Sequence, residues 1–279
     1  MKKVLVTGEN GYIGNKFNEW NSQRSLDIEL HYTSVKGSKW KEIDFSEYDC
    51  ILHLAGIAHV SRNPKMEKLY YKVNRDLTKE LAEKAKNENV KQFIFMSSII
   101  VYGNQEKISF DTKPEPSDFY GESKLQAEIL LRKIASSEFQ VAIIRSPMVY
   151  GESCKGNFNK LLKFALVSPV FPLINNKRSI IYIENLCNII SKIIINSSDG
   201  YFFPQNNEII STTNIVKEIN EINNKKVLLT SKFNLIIKMF IYKVPFIKKV
   251  FGDLYYEVNM STYKEDYQTV KFKDSLQKI

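Results

Sequence analysis

Residues 3–14 read Lys3-Val4-Leu5-Val6-Thr7-Gly8-Glu9-Asn10-Gly11-Tyr12-Ile13-Gly14, and this stretch decides the fold. Lys3 to Thr7 reads as a buried strand, and Tyr12 to Asn21 as a helix. Between them the glycines fall at Gly-x-x-Gly-x-x-Gly spacing. Gly8 can take a tight turn, Gly11 lets the backbone approach a diphosphate, and Gly14 lets the helix pack closely on the sheet. The helix then points its unpaired N–H groups at the phosphates. A dinucleotide is therefore expected against Gly8, Gly11, Tyr12, Ile13 and Gly14.

Outward from this turn, short apolar runs alternate with helical patterns. Strands are expected at Leu26–Tyr32, Cys50–Leu54, Gln92–Met96 and Gln140–Ile144. Helices are expected over Lys65–Asn89, with Leu69, Val73, Leu77 and Leu81 on one face, and over Tyr120–Ser136. Such alternation implies parallel pairing, so the fold class is α/β: a Rossmann-type doubly wound parallel sheet. Ligands in such sheets lie beyond the carboxyl ends of the strands. After Pro147 the rhythm loosens. Residues 1–150 are expected to form the nucleotide-binding domain. Residues 151–279 should form mainly a smaller substrate-binding lobe, with some strands returning to the main sheet.

The chain has 279 residues, 43% hydrophobic and 25% charged, an ordinary globular composition. Its three cysteines, Cys50, Cys154 and Cys187, are odd in number and far apart, which fits buried thiols in a reducing compartment. His31, His53 and His59 are too scattered for a metal site, and none is expected. No run has the apolar length to span a bilayer, and the N-terminal apolar run breaks too early for a secretory signal, so a cytoplasmic protein is expected. The net charge of +9 comes without a nucleic-acid motif, and no nucleic-acid partner is expected. Residues 233–251, FNLIIKMFIYKVPFIKKVF, are apolar and basic together. Packing as two short helices broken at Pro245 is favoured over lying on an acidic membrane.

The end of the second strand reads His31-Tyr32-Thr33-Ser34-Val35-Lys36, with no carboxylate to bind a ribose diol. Ser34 and Lys36 are instead suited to a 2′-phosphate, so NAD(P) is expected with NADP(H) somewhat favoured. Asp44 and Phe45 precede the third strand, and Leu54, Ala55 and Gly56 end it, leaving room for the cofactor to cross the sheet edge.

Tyr120-Gly121-Glu122-Ser123-Lys124 places Tyr120 and Lys124 four apart, on one helix face. A neighbouring ammonium and a positively charged nicotinamide would lower the phenol pKa from about 10. Ser98, in Met96-Ser97-Ser98-Ile99-Ile100-Val101-Tyr102-Gly103, falls at the end of the fourth strand and can hold the reacting oxygen. Asn74 on the preceding long helix can orient water and backbone near the lysine.

Together TGENGYIG, HLAG, SSIIVYG and YGESK resemble the extended short-chain dehydrogenase/reductases, the NAD-dependent epimerase/dehydratase family. The resemblance implies nucleotide-sugar chemistry by hydride exchange. Tyr120 would be the acid/base, Lys124 would tune it and bind the nicotinamide ribose, and Ser98 would assist. Pro147, in RSPMVYG, would lie near the nicotinamide, and Asn157 and Arg178 would contact the nucleotide diphosphate. Relatives that dehydrate the sugar carry Asp-Glu where this chain has Ile99-Ile100, which excludes a 4,6-dehydratase. Segments GNF and NNKRS resemble proteins of bacterial capsule and O-antigen synthesis. The favoured expectation is a 4-ketoreductase for a UDP-2-acetamido-2,6-dideoxy-4-hexulose. A UDP-glucose or UDP-N-acetylglucosamine 4-epimerase is the alternative, and a non-catalytic NAD(P)-binding regulator stands outside both. A homodimer is the expected assembly.

Overall fold

A computed structural model describes residues 1–8, 10–57, 63–154 and 156–279. Glu9 of the glycine turn and His59 lie outside the described residues. The chain opens with β1 (Lys2–Thr7), α1 (Tyr12–Ser22), β2 (Ile28–Thr33) and β3 (Cys50–His53). A long helix follows as α2 (Glu67–Tyr70), a π-helical stretch over Tyr71–Asp76, and α3 (Leu77–Asn87). Next come β4 (Gln92–Ser98), β5 (Lys107–Ile108), α4 (Phe119–Ile134), β6 (Gln140–Ser146), β7 (Met148–Tyr150) and α5 (Asn157–Val167). The remainder holds β8 (Val170–Pro172), β9 (Ile180–Tyr182), α6 (Ile183–Ile195), β10 (Gly200–Phe202), α7 (Thr212–Ile222), β11 (Leu228–Thr230), α8 (Asn234–Phe240), α9 (Pro245–Phe251), β12 (Tyr255–Tyr256) and α10 (Phe272–Leu276).

Six strands form one sheet in the order β10-β6-β4-β3-β1-β2, parallel at every pairing. This is the doubly wound Rossmann-type arrangement expected from the strand–helix alternation. The order reverses at β1, which pairs with β2 on one side and β3 on the other, so a crevice opens at the carboxyl ends of β1 and β3. Residues 34–49 supply no outer strand; they run through 3-10 turns at Lys39–Glu42 and Phe45–Glu47.

Side-chain alternation explains how the sheet is covered. Leu5, Ile51, Phe93, Phe95, Val141 and Ile143 form one core with Leu81, Ala82 and Ala85 of α3 and Ala127 and Leu131 of α4. The opposite face carries Gln92, whose amide donates to the Ile193 carbonyl of α6. Residues Met1–Asn104, Thr112–Ser146 and Leu186–Pro204 make up this first compact unit.

The leucine stripe of the long helix is not continuous: Leu81 is buried, but Leu69 is 41% exposed. A π-helical turn holds more than 3.6 residues, so it rotates everything on one side relative to the other. The residue this turns inward is Asn74, which is fully buried.

The second unit comprises Gln105–Asp111, Pro147–Asn185 and Gln205–Ile279. Its core gathers around Tyr150, whose ring stacks on Phe158 at 4.7 Å and meets Tyr182 and Phe272. The Tyr150 hydroxyl shares a hydrogen bond with Ser275 at 2.7 Å and accepts one from Asn206 at 2.8 Å. In the 233–251 segment α8 and α9 do form as two short helices, and Pro245 opens α9. The apolar residues of α8 are not covered as expected. Ile237 is buried, whereas Leu235, Ile236, Met239 and Phe240 are exposed.

Candidate active site

The crevice at the head of β1 is shaped by glycine. Gly8 has φ +92°, and a Cβ there would stand 2.9 Å from the Ala55 backbone nitrogen. A Cβ on Gly11 would stand 2.9 Å from the Gly8 carbonyl oxygen. Both positions therefore exclude side chains. Gly14 differs from expectation: a Cβ would meet Leu54 and Tyr32 only at ordinary contact distances of 3.6 and 3.7 Å. Close packing of α1 on the sheet does not by itself require that glycine. The α1 N-cap is Gly11, without a side-chain cap, and the first turn bears no acid. Such a helix end suits an anion. The cradle thus fits the diphosphate of a dinucleotide, with Tyr12 and Ile13 half-buried in the first turn.

Ser34 and Lys36 are exposed just past β2. Asp44 caps the 3-10 turn by accepting from Ser46 N and Ser46 Oγ, which holds its carboxyl below the usual range. The Phe45 ring is fully buried in the core, and its backbone N–H donates to Glu88. Leu54, Ala55 and Gly56 follow β3 directly, as the sequence implied.

Gly56 has a more demanding setting than room for a cofactor. A Cβ here would lie 2.9 Å from Asn74 Oδ1 and 3.2 Å from Lys124 Nζ. Asn74 Oδ1 is held by the Ile57 N–H at 2.8 Å, and Asn74 Nδ2 donates to the Ile57 carbonyl and to Ser123 Oγ. Ser123 Oγ in turn donates to the Tyr120 carbonyl. Gly56→Ala is accordingly expected to displace the lysine head, because the amide cannot retreat. Turnover should fall at least about tenfold while the melting temperature barely moves. An unchanged kcat beside an intact fold would contradict this reading of Gly56.

Tyr120 and Lys124 lie in the first two turns of α4, which Asp118 caps by accepting from Gly121 N at 2.9 Å. Both are buried. Burial pushes the Tyr120 phenol up to about 12, and a hydrogen bond with Ser98 opposes the rise. Burial outweighs every opposing influence of the protein's own groups on this phenol. Lys124 donates to the Met96 carbonyl at 2.9 Å and lies 4.5 Å above the Phe95 ring. Burial lowers its pKa to about 8, with Glu128 pulling the other way. The two positions after Ser98 carry Ile99, buried, and Ile100, half-buried, with no carboxylate between them.

Sequence reasoning gave His53 no role. It is fully buried, with Nδ1 2.6 Å from Thr7 Oγ1 and Nε2 2.9 Å from Thr78 Oγ1. Thr78 donates to the Asn74 carbonyl, so it must accept from His53 Nε2–H, and Nδ1 then accepts from Thr7. The neutral ring links β1, β3 and the Asn74 helix. Burial and the nearby Lys124 lower its pKa to about 3. Between that value and about 6.5 the unfolded chain binds the proton that the folded ring refuses, so stability falls as pH drops through this window. The expected slope is about 1.4 kcal/mol per pH unit for this one group. A His53→Asn variant should lose that component in urea titrations between pH 6.5 and 4; identical slopes would reject it.

Glu128, one turn beyond Lys124, was also missed, although Tyr120, Lys124 and Glu128 recur every fourth residue. It is fully buried and receives Arg145 in a forked pair, with Nη2 2.6 Å from Oε2. Ser97 hydrogen-bonds its other oxygen, and Arg145 Nη1 donates to Tyr102 at 2.7 Å.

The first unit therefore brings together the glycine turn, Ser98, Tyr120, Lys124 and Asn74. Pro147, Asn157 and Arg178 belong to the second unit. Asn157 is exposed at the start of α5. The Arg178 guanidinium donates to the Gly252 carbonyl at 3.2 Å, and burial lowers its pKa to about 10. It stays charged at neutral pH, and the Asp253 carboxylate opposes the fall.

Residues 4–201 match the model of the NAD dependent epimerase/dehydratase family. The chain is 31% identical over 252 residues to a UDP-glucose 4-epimerase of Vibrio cholerae, spanning 78% of this chain and 75% of that one. It is 26% identical over 245 residues to the N-acetyl-alpha-D-glucosaminyl-diphospho-ditrans,octacis-undecaprenol 4-epimerase of Escherichia coli O157:H7, spanning 80% and 73%. A solved UDP-glucuronic acid 4-epimerase from Bacillus cereus, in complex with NAD, shares the fold at a TM-score of 0.73 and 19% identity, covering 99% of this chain and 94% of that one.

Proposed function

Because the chain belongs to the NAD-dependent epimerase/dehydratase family, we propose that it is a UDP-hexose 4-epimerase acting on UDP-glucose or UDP-N-acetylglucosamine. More broadly, it is an NAD(P)-dependent enzyme of nucleotide-sugar oxidoreduction or epimerisation. The likeness to the Vibrio cholerae 4-epimerase across three quarters of both chains carries the finer reading. It has more support than the 4-ketoreductase expected from the sequence, which rested on the resemblance of the GNF and NNKRS segments and on the missing ribose carboxylate. Among the described residues nothing favours NADP(H) over NAD(H), and the cofactor is NAD(P).

In this reading Gly8, Gly11 and the start of α1 hold the cofactor diphosphate, and Lys124 reaches its nicotinamide ribose. A nicotinamide held there supplies a hydride acceptor and donor. Ser98 and Tyr120 grip the C4 oxygen of the sugar. Tyr120 takes the hydroxyl proton as C4 is oxidised and returns it when the ketone is reduced on the opposite face. At a resting value of about 12 the phenol is protonated, so proton removal depends on positive charge arriving with the cofactor. Asn74, through Ile57 and Ser123, keeps the α4 backbone and the lysine head in place. Arg178, charged at neutral pH, suits the substrate diphosphate through its planar fork.

The deciding experiment incubates the purified protein with NAD and, separately, UDP-glucose, UDP-N-acetylglucosamine and the undecaprenyl-diphosphate sugar for which the E. coli relative is named. Interconversion of C4 epimers without net cofactor reduction establishes the epimerase. Stoichiometric NADPH oxidation with a UDP-4-keto-6-deoxy-N-acetylhexosamine, and no epimer formed from any sugar, would establish the reductase instead. Cofactor binding without turnover of either kind would point to a regulator.

A further inference from the structure

Helix α8 turns its apolar side outward. Leu235 and Met239 lie four apart on one stripe, and Ile236 and Phe240 lie four apart on the next. All four are exposed, Leu235 by 72% and Met239 by 61%, while Ile237 faces inward and is buried. Phe233 before the helix and Tyr242 after it extend the patch. A surface helix ordinarily presents polar residues to water, and a contiguous apolar patch marks an interaction site.

Charge identifies the partner. From Ser231 to Gly252 there is no aspartate or glutamate, whereas Lys232, Lys238, Lys243, Lys248 and Lys249 all fall within the segment. Lys232, Lys238, Lys243 and Lys249 are exposed. The acids nearest Tyr242 are already engaged: Glu106 accepts from the Tyr242 hydroxyl at 3.0 Å, and Asp253 accepts from the Lys177 backbone N–H at 2.8 Å. A second copy of this chain would bring five lysines against five, and like charges facing one another oppose association. Exposed aliphatic and aromatic residues rimmed by lysine instead match a lipid surface carrying negative headgroups.

We propose that α8 and its flanks form a docking surface for an anionic bilayer. Leu235, Ile236, Met239 and Phe240 enter the headgroup–acyl boundary, and the surrounding lysines meet lipid phosphates. The inference stands on the second unit alone and does not depend on which sugar the enzyme takes.

Vesicle co-sedimentation tests it directly. The full chain should pellet with phosphatidylglycerol-rich vesicles, pellet at least about tenfold less with phosphatidylcholine vesicles, and detach as salt is raised. An Ile236→Ser/Met239→Ser variant should lose about tenfold or more in partitioning to the anionic vesicles, and Lys238→Glu/Lys243→Glu should do the same. These positions are exposed, so both variants should keep the wild-type melting temperature and sedimentation mass in the absence of lipid. Failure to pellet with anionic vesicles, or partitioning unaffected by both variants, overturns the proposal. A fall in oligomer mass for the Ile236→Ser/Met239→Ser variant without lipid overturns it as well and assigns the face to a second copy.

Discussion

Tyr120→Phe is expected to lower kcat about a thousandfold, in line with removal of a positioned general acid/base, while the protein stays folded and still binds cofactor. The ring is buried and meets Tyr70 edge-on, and phenylalanine preserves that packing. The hydroxyl lost is bonded to Ser98, but Ser98 keeps a second bond, accepting from Ile100 N. No buried polar atom is left without a partner, so the cost in stability should stay near 1 kcal/mol. Steady-state kinetics beside fluorescence titration of NAD(H) separates the two effects. Near-wild-type turnover would remove Tyr120 from the chemistry and with it the proposed proton path.

Arg145→Met is expected to give the largest loss of stability, about 3–5 kcal/mol, because it strands a buried charge. Glu128 is fully buried, and after the substitution only Ser97 would remain bonded to its carboxylate. The double variant Glu128→Leu/Arg145→Met should recover most of that loss, since neither charge then needs solvation. Urea unfolding of the two proteins tests this, and a double variant no more stable than the single one would show that geometry rather than charge is decisive there. The pair also reaches the active site. Glu128 pulls the pKa of Lys124 upward against burial, so its removal should drop that pKa further below about 8. In the double variant, any alkaline limb of kcat/KM governed by Lys124 should therefore move to lower pH.

Much of the site was legible because local spacing carries it. A glycine turn between a strand and a helix has one use in such a sheet, and Tyr120 and Lys124 share a helix face at any tertiary arrangement. Gly14 shows the limit: the motif predicted close helix packing, yet a Cβ would fit there at ordinary contact distance. The Tyr120 phenol shows the same limit. Spacing places an ammonium nearby, but only the finished core decides how strongly burial opposes ionisation.

The sequence alone carried the strand–helix alternation of the first half and its parallel sheet, and it nominated Ser98, Tyr120 and Lys124, since each rests on periodicity or on neighbours within one turn. The tertiary structure decided what needs distant residues to meet. Thr7 reaches His53 across 46 positions, and Asn74 reaches Ser123 across 49. Gly56 earns its place only through Asn74 and Lys124, which the fold sets beside it. The π-helical turn that points Asn74 inward leaves no mark on a four-residue repeat except the exposed Leu69. Composition also showed that residues 233–251 are apolar and basic together but not which side of α8 faces the core; packing around Ile237 settled that and left the lysine-rimmed apolar side in water.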